Sequence, residues 1–260
     1  MKAPVLIARP GERGEALARA LRAEGAWVEP LDMLTLEPLE ESAWLKSVWL
    51  DLDHYQKIVV TSPFAARELV DAIDRYWPQL PVGIAFYALG VGTGDVLHRA
   101  LGVRVRLPPT GAGEESSEAL LTLASLARLN EQRVLLVAGE GGRMLLAETL
   151  TERGARLNRV ALYRRVYRPP GAEMQRRLAS GRFHTMIVTS GELLEYLANW
   201  CPQAALNQPL IVSSRRLAEL AAALGFCDLK VASGASQAAL VAAFSASCDA
   251  RGADVDQRTQ

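Results

Sequence analysis

Short apolar runs alternate along the chain with longer stretches whose apolar residues recur at helical spacing. The run VLIA at 5–8 predicts a strand, and residues 12–24 predict a helix that ends at Gly25. This alternation indicates parallel sheets covered by helices, so the predicted fold class is α/β. Further strands are predicted near 27–34, 58–62, 84–90, 104–107, 134–138 and 186–190. Three further helices are predicted: one begins at residue 63, one ends at Gly102, and one covers 113–126.

The pattern occurs twice, which indicates a duplicated domain. A repeat this long differs from the much shorter units of a solenoid. The matched positions, 129 or 128 residues apart, include Val5 with Val134, Leu17 with Leu146, Gly25 with Gly154, and IVVTS at 58–62 with MIVTS at 186–190. A weaker match relates 88–102 to 211–225, at an offset of 123.

Two linker-like segments interrupt the pattern, at 35–42 and 166–170, where Pro169 and Pro170 stop any regular element. They bracket residues 43–165. This permits a layout in which the first βαβ unit joins the C-terminal half. Two tandem domains are equally compatible with the sequence.

Composition excludes several classes of protein. Lys+Arg and Asp+Glu are equal at 29 each, so no global basic field indicates nucleic acid. The three cysteines are scattered and odd in number, which argues against a disulfide framework and fits a reducing cytoplasm. The apolar run at the N-terminus is too short for a signal segment or a membrane span. The polar stretch 249–260 is expected to be disordered.

Metal and nucleotide sites are not indicated by any motif. The three histidines lie far apart and no CxxC occurs, so we expect no metal site. The segment GVGTGD at 90–95 lacks the last glycine of a dinucleotide fingerprint, and no complete phosphate-binding loop is present. We therefore expect no cofactor.

Small polar residues and glycines follow the predicted strands, where the ligand crevice of a parallel α/β sheet lies. Helix N-termini there offer N–H groups and a positive dipole end to anions. The simpler interpretation is that these residues are N-caps and turns. Six such turns favour a crevice that holds a polyanion by backbone amides. The predicted binding residues are Arg9, Thr61, Ser62, Gly90, Gly92, Thr93, Gly139, Thr189, Ser190, Gly191, Ser213 and Ser214.

Tyr163, in VALYRRVY, is the candidate for chemistry, since a tyrosine can donate a hydrogen bond or act as a weak acid. The alternative is a half-buried strand residue. Arg164, Arg165 and Arg168 are interpreted as solvated strand faces that could also attract an acidic substrate.

These segments resemble the uroporphyrinogen-III synthase family in the family's order along nearly the whole chain. The matching segments are VLIARP, VTS at 60–62, ALGVGTGDVLHRALG, RVLLVAGEGGRMLLAETLTERGA, VALYRRVYRPP, VTS at 188–190 and VASGASQAALVAAF. The family's G-x-T-T turn is met in part by Gly90, Gly92 and Thr93. In the second copy it is replaced by Ser213-Ser214-Arg215-Arg216, which departs from the family pattern.

The resemblance implies two similar parallel-sheet α/β domains joined by a two-stranded linker, with a deep interdomain cleft. The implied domains are 1–35 plus 171–260, and 41–164, with linker strands at 36–40 and 165–170.

The resemblance also implies a cytoplasmic, monomeric enzyme without cofactor or metal and without nucleic-acid or membrane partners. Its substrate would be hydroxymethylbilane, a linear tetrapyrrole rich in carboxylates. The reaction would be loss of water and ring closure with inversion of ring D, through a spiro intermediate. The family's tyrosine falls on Tyr163, which would help the ring A hydroxyl to leave. A transient contact with the preceding pathway enzyme is a further expectation.

Two other classes are compatible with the pattern. The main rival is a non-catalytic two-lobed cytoplasmic binding protein for a small polyanion. A response-regulator-like module ranks lower because it needs an acidic cluster at the strand ends, where Arg9, Thr61 and Gly90 stand.

Overall fold

The computed structural model of the chain describes residues 3–109 and 116–256 and confirms the predicted α/β class. The strands are β1 Val5–Ala8, β2 Val28–Pro30, β3 Leu34–Pro38, β4 Lys57–Val60, β5 Ala85–Ala88, β6 Val105–Arg106, β7 Arg133–Gly139, β8 Arg156–Tyr167, β9 Thr185–Val188, β10 Leu210–Val212 and β11 Leu229–Val231. The helices are α1 Glu12–Ala23, α2 Ala43–Leu50, α3 Pro63–Tyr76, α4 Val91–Leu101, α5 Ser117–Leu121, α6 Leu145–Glu152, α7 Ala172–Ser180, α8 Gly191–Ala198, α9 Gln203–Leu206, α10 Arg215–Ala223 and α11 Gln237–Asp256.

The chain divides into two compact units. The first unit comprises Met1–Thr35 and Tyr167–Gln260, and the second comprises Leu36–Val166. One sheet has the strand order β11-β10-β9-β1-β2, and the other has the order β3-β8-β7-β4-β5-β6. The bounds of the two folded domains, 1–35 plus 171–260 and 41–164, stay a prediction.

The two sheets repeat one another in strand order and in register. The order β2-β1-β9-β10-β11 corresponds to β8-β7-β4-β5-β6. Parallel pairing sets Val5 beside Val28, and Val134 beside Leu157, so the 129-residue offset of the sequence is kept across the ladder. The repeat in the sequence is therefore also a repeat in topology.

Each face of the second unit's sheet carries its own apolar cluster. The α3-side cluster includes Ile58, Leu69 and Val160, and the α6-side cluster includes Leu136, Leu150 and the partly buried Leu157. Burying each such side chain stabilises the fold by about 1.5–3 kcal/mol. Because helices cover both faces, the strand ends are left as the place where polar groups can gather.

Two predicted segments differ from the structure. The helix predicted over 113–126 shortens to α5 and a 3-10 turn at Ala124–Leu126. After α5 the N–H groups of Thr122 and Leu123 donate to carbonyls three residues back, so the α-helical hydrogen-bond ladder does not continue. Residues 113–115 lie outside the described part. The disorder predicted for 249–260 is wrong as far as Asp256. The backbone of α11 continues there as part of one helix, Gln237–Asp256, while 257–260 lie outside the described residues.

None of the described helices is long and apolar enough to cross a membrane. Within the same residues, no group of three or more His, Cys, Asp or Glu side chains is placed to hold a metal ion.

Candidate functional site

Tyr163 lies near the carboxyl end of β8 and is almost fully buried, with 5% of its surface exposed. Its hydroxyl oxygen is 3.1 Å from Ser62 Oγ, and its ring centroid is 4.9 Å from that of Phe64. Either hydroxyl can donate in this contact. One of the two hydroxyl protons forms the hydrogen bond between Ser62 and Tyr163, so the other hydroxyl proton is available to a bound molecule.

A β-bulge in β8 turns Tyr163 toward Ser62. The β7–β8 ladder runs in step as far as Ala138 and then skips Leu162, so Gly139 faces Tyr163. Successive side chains of a regular strand point to opposite faces of the sheet. Here Leu162 and Tyr163 both pack in the α3-side cluster. The extra residue therefore places the tyrosine on the face where α3 begins.

Gly139 leaves room for the tyrosine ring. A Cβ atom at this position would lie 2.5 Å from Tyr163 Cζ and 2.9 Å from its hydroxyl oxygen, far inside normal contact distance. Tyr163 can lie against Ser62 in this way because residue 139 has no side chain.

Thr61 and Ser62 join the end of β4 to the start of α3. Ser62 is the N-cap of α3, and its Oγ accepts the N–H of Ala65 at 3.1 Å. The Thr61 hydroxyl donates to the carbonyl of Val137 at 3.3 Å. The N-cap interpretation is thus correct for Ser62, whose hydroxyl contacts Tyr163 at the same time.

A cavity of about 230 Å³ opens over these strand ends. It brings together four of the predicted residues, namely Thr61, Ser62, Gly139 and Tyr163. Among the described residues, three arginines also line it, beside a single glutamate, and the guanidinium group suits a carboxylate ligand. These charged residues are Arg143, Arg159, Arg165 and Glu140. Arg143 and Arg159 were not predicted from the sequence, although Arg159 lies four residues before Tyr163.

The glycine turn, residues 139–142, follows β7 along the edge of this cavity. Two of its glycines have φ angles of 72° and 81°, in the left-handed region that favours glycine. The N–H of Glu140 donates to the carbonyl of Tyr163 at 2.7 Å. Arg159 Nη2 donates to the carbonyl of Gly141 at 2.6 Å. Backbone and side-chain hydrogen bonds thus tie the turn to β8.

Gly90, Gly92 and Thr93 lie past the end of β5 and are not among the described residues that line this cavity. Gly90 is the N-cap of α4, and Thr93 is 3% exposed within that helix. A Cβ atom at Gly92 would lie 3.7 Å from Pro63 Cγ, so the helix starts pack closely. In this arrangement the three residues pack α4 against its neighbours.

Arg9 follows β1 in the first unit and lines a separate cavity of about 420 Å³. Its Nη1 donates to the carbonyl of Ala235 at 2.8 Å. Burial lowers the pKa of Arg9, and the charge of Arg13 lowers it further. The other charged residues along this cavity are Arg19, Arg22, Glu15 and Asp32. Arginines outnumber acids here, so the cavity also suits an anion.

The remaining predicted residues lie past the ends of β9 and β10, the strands that continue the sheet beside β1. Ser190 and Ser214 are the N-caps of α8 and α10, and their side chains accept backbone N–H groups at 3.4 Å and 3.3 Å. Thr189, Gly191 and Ser213 are next to these caps. The predicted binding residues are therefore divided between the two units.

Sequence comparisons find relatives of the same kind over most of the chain. The model of the family "Uroporphyrinogen-III synthase HemD" matches residues 15–242. A uroporphyrinogen-III synthase of Salmonella typhimurium is 36% identical over 248 residues, covering 92% of this chain and 99% of that protein. Another, from Escherichia coli K12, is 34% identical over 251 residues with the same coverage.

Solved structures with the same fold are also found. A uroporphyrinogen III synthase from Thermus thermophilus aligns with a TM-score of 0.61 at 18% identity, covering 95% of this chain and 99% of that one. A uroporphyrinogen-III synthetase from Helicobacter pylori gives a TM-score of 0.58 at 14% identity, covering 93% and 97%. At these identities the likeness concerns the fold.

Proposed function

The chain belongs to the uroporphyrinogen-III synthase family, and we infer that Tyr163 and the cavity of the second unit carry its chemistry. It is an enzyme of haem biosynthesis, a lyase that closes hydroxymethylbilane to uroporphyrinogen III with loss of water and inversion of ring D. The rival function, a non-catalytic polyanion-binding protein, is not favoured because the matched relatives are synthases.

The contact between Tyr163 and Ser62 supports a first step of acid-assisted dehydration. Tyr163 donates its proton to the ring A hydroxyl, the C–O bond breaks toward oxygen, and water leaves. Electrons of the pyrrole replace the broken bond and give a cationic azafulvene. Such a pyrrole methanol needs modest help, so a phenol suffices as hydrogen-bond donor.

Ser62 assists this step by donating its own hydroxyl proton to Tyr163 Oη, which leaves the tyrosine proton for the substrate. Negative charge that develops on the phenol oxygen is then stabilised by the serine. The serine oxygen in turn accepts the N–H of Ala65 at the positive end of α3.

Control over position accounts for the inversion of ring D. The substituted carbon of that ring must attack the azafulvene carbon to give the spiro intermediate, which then rearranges and loses one proton. Tyr163 is reprotonated in turn, so that water is the net by-product. Holding the substrate's carboxylates and excluding water favours this attack over simple closure. Arg143, Arg165 and the amides of the glycine turn supply anion-binding groups around Tyr163.

We assign the strand ends of the first unit to substrate binding as well. Arg9 is partly buried beside its cavity and carries a charge suited to a carboxylate. Ser190 and Ser214 cap α8 and α10 by accepting the N–H groups of Leu193 and Leu217. The other backbone N–H groups in the first turns of these helices are further anion-binding groups.

A monomeric, cytoplasmic enzyme that needs no metal or cofactor completes the proposal, with a transient contact to the preceding pathway enzyme. Cys201, Cys227 and Cys248 form no disulfide among the described residues, which supports a reducing compartment.

Replacing Tyr163 tests the proposed acid. In Tyr163→Phe, kcat should fall roughly 10- to 100-fold, near the low end of general-acid contributions, with KM changed less than about twofold. Steady-state kinetics with hydroxymethylbilane measure both values. Tyr87→Phe is the matched control, because Tyr87 is fully buried and donates to Ser125 Oγ at 3.0 Å outside the cavity. Unchanged kcat in Tyr163→Phe would remove the tyrosine from the mechanism.

A further inference from the structure

The glycine turn at 139–142 is held by the side chain of Arg159, a residue that no sequence pattern singled out. We propose that Arg159 is a positioning residue, which fixes this turn so that its backbone N–H groups face a substrate carboxylate. The inference rests on the proposed function, because it concerns how the same cavity binds the tetrapyrrole.

Arg159 reaches the turn from the neighbouring strand. It pairs with Leu136 in the β7–β8 ladder, and its guanidinium group extends past the end of β7. Nη2 lies 2.6 Å from the carbonyl oxygen of Gly141 and 3.4 Å from that of Gly139. The guanidinium group is planar, permanently charged and has donors in fixed directions, so it can hold these two carbonyls in one orientation.

The turn has donors left over for a ligand. Within the described residues, the N–H groups of Gly141, Gly142 and Arg143 donate to no protein acceptor, whereas that of Glu140 donates to Tyr163. All of these residues line the cavity. Successive backbone N–H groups around left-handed glycines form a concave anion site.

Fixing this turn matters because glycine loses more conformational freedom on ordering than any other residue. With its carbonyls bound, the turn presents its N–H groups before substrate arrives. Without Arg159 the ordering cost falls on substrate binding. Loss of the side chain should therefore raise KM and leave the dehydration step unchanged.

Kinetics and hydrogen exchange together test this role. In Arg159→Met, KM for hydroxymethylbilane should rise roughly tenfold with kcat within about twofold. In the same substrate-free variant, the amide of Glu140 should exchange with deuterium faster than in wild type. Arg156→Met is the matched control, since Arg156 lies on the same strand, is mostly exposed and pairs with Glu131. It should leave both readouts unchanged.

Three outcomes would overturn the inference. A raised KM with unchanged exchange would mean that Arg159 contacts the substrate itself. Faster exchange with unchanged KM would mean that the turn does not bind substrate, and no change in either readout would leave Arg159 without a role. The product isomers are measured in the same experiment. If the wild-type protein forms the type III isomer but Arg159→Met changes neither KM nor exchange, the inference about Arg159 fails while the proposed function stands.

Discussion

Tyr163 is placed by two local departures from regular strand structure. The bulge at Leu162 turns the ring to the α3 side of the sheet, and the missing side chain of Gly139 gives it space. Neither feature adds a contact to substrate. Both determine whether the phenol reaches Ser62.

A methyl group at residue 139 should disable the tyrosine without removing it. Gly139→Ala forces the ring away from Ser62, so kcat should fall about as far as in Tyr163→Phe, with overpacking that costs about 1–3 kcal/mol of stability. Kinetics and thermal unfolding measure the two effects. Gly171→Ala is the control, because a Cβ there meets nothing within 4 Å and its φ is −59°. Wild-type kcat in Gly139→Ala would contradict this view of the site.

The sequence predicted part of this residue-scale picture. Tyr163 was a candidate from its residue type and from the family resemblance, and Thr61, Ser62 and Gly139 were candidates from their positions after predicted strands. Arg159 was missed because an arginine in a strand is usually solvated. Its hydrogen bond depends on a turn contributed by another strand.

At the scale of elements, α3 links its own stability to the site through Ser62. The serine caps the helix and touches Tyr163, so one hydroxyl joins the start of the helix to the proposed acid. Among the described residues of the same unit, the cap at Ser42 lacks a contact to Tyr163. Ser42 caps α2 by accepting the N–H of Leu45 at 3.1 Å, the same distance as the Ser62 cap.

Matched cap deletions should separate the two roles. Ser62→Ala and Ser42→Ala should each lower the free energy of unfolding by about 0.5–2 kcal/mol, as for other lost serine caps. Ser62→Ala alone should also lower kcat, by roughly two- to tenfold for one weakened hydrogen bond. Urea unfolding and steady-state kinetics give both values. An equal kcat in the two variants would show that Ser62 acts as a cap and nothing more.

Helices and strands were largely predictable because apolar periodicity and glycine stops determine them locally. The bulge was not, since it appears when β8 is paired with β7 and one extra residue must be accommodated. The end of α5 was not predictable either, because the backbone changes there to hydrogen bonds three residues back within the same apolar run.

At the scale of the whole molecule, two copies of one topology carry different side chains at equivalent positions. The 129-residue offset relates Tyr163 to Leu34 and Arg159 to Pro30. The first unit thus has neither the phenol nor the guanidinium at the equivalent places. It offers Arg9 and its neighbours instead. The duplication was predictable from matched residues, whereas the comparison of side chains at equivalent positions required the strand register.

Product isomer composition tests the assigned function most directly. Purified protein is mixed with freshly prepared hydroxymethylbilane, and the uroporphyrinogen isomers are separated and compared with a sample without protein. The type III isomer should predominate with the wild-type chain, while the protein-free sample closes spontaneously to type I. Formation of type I alone in the presence of the protein would contradict the assignment.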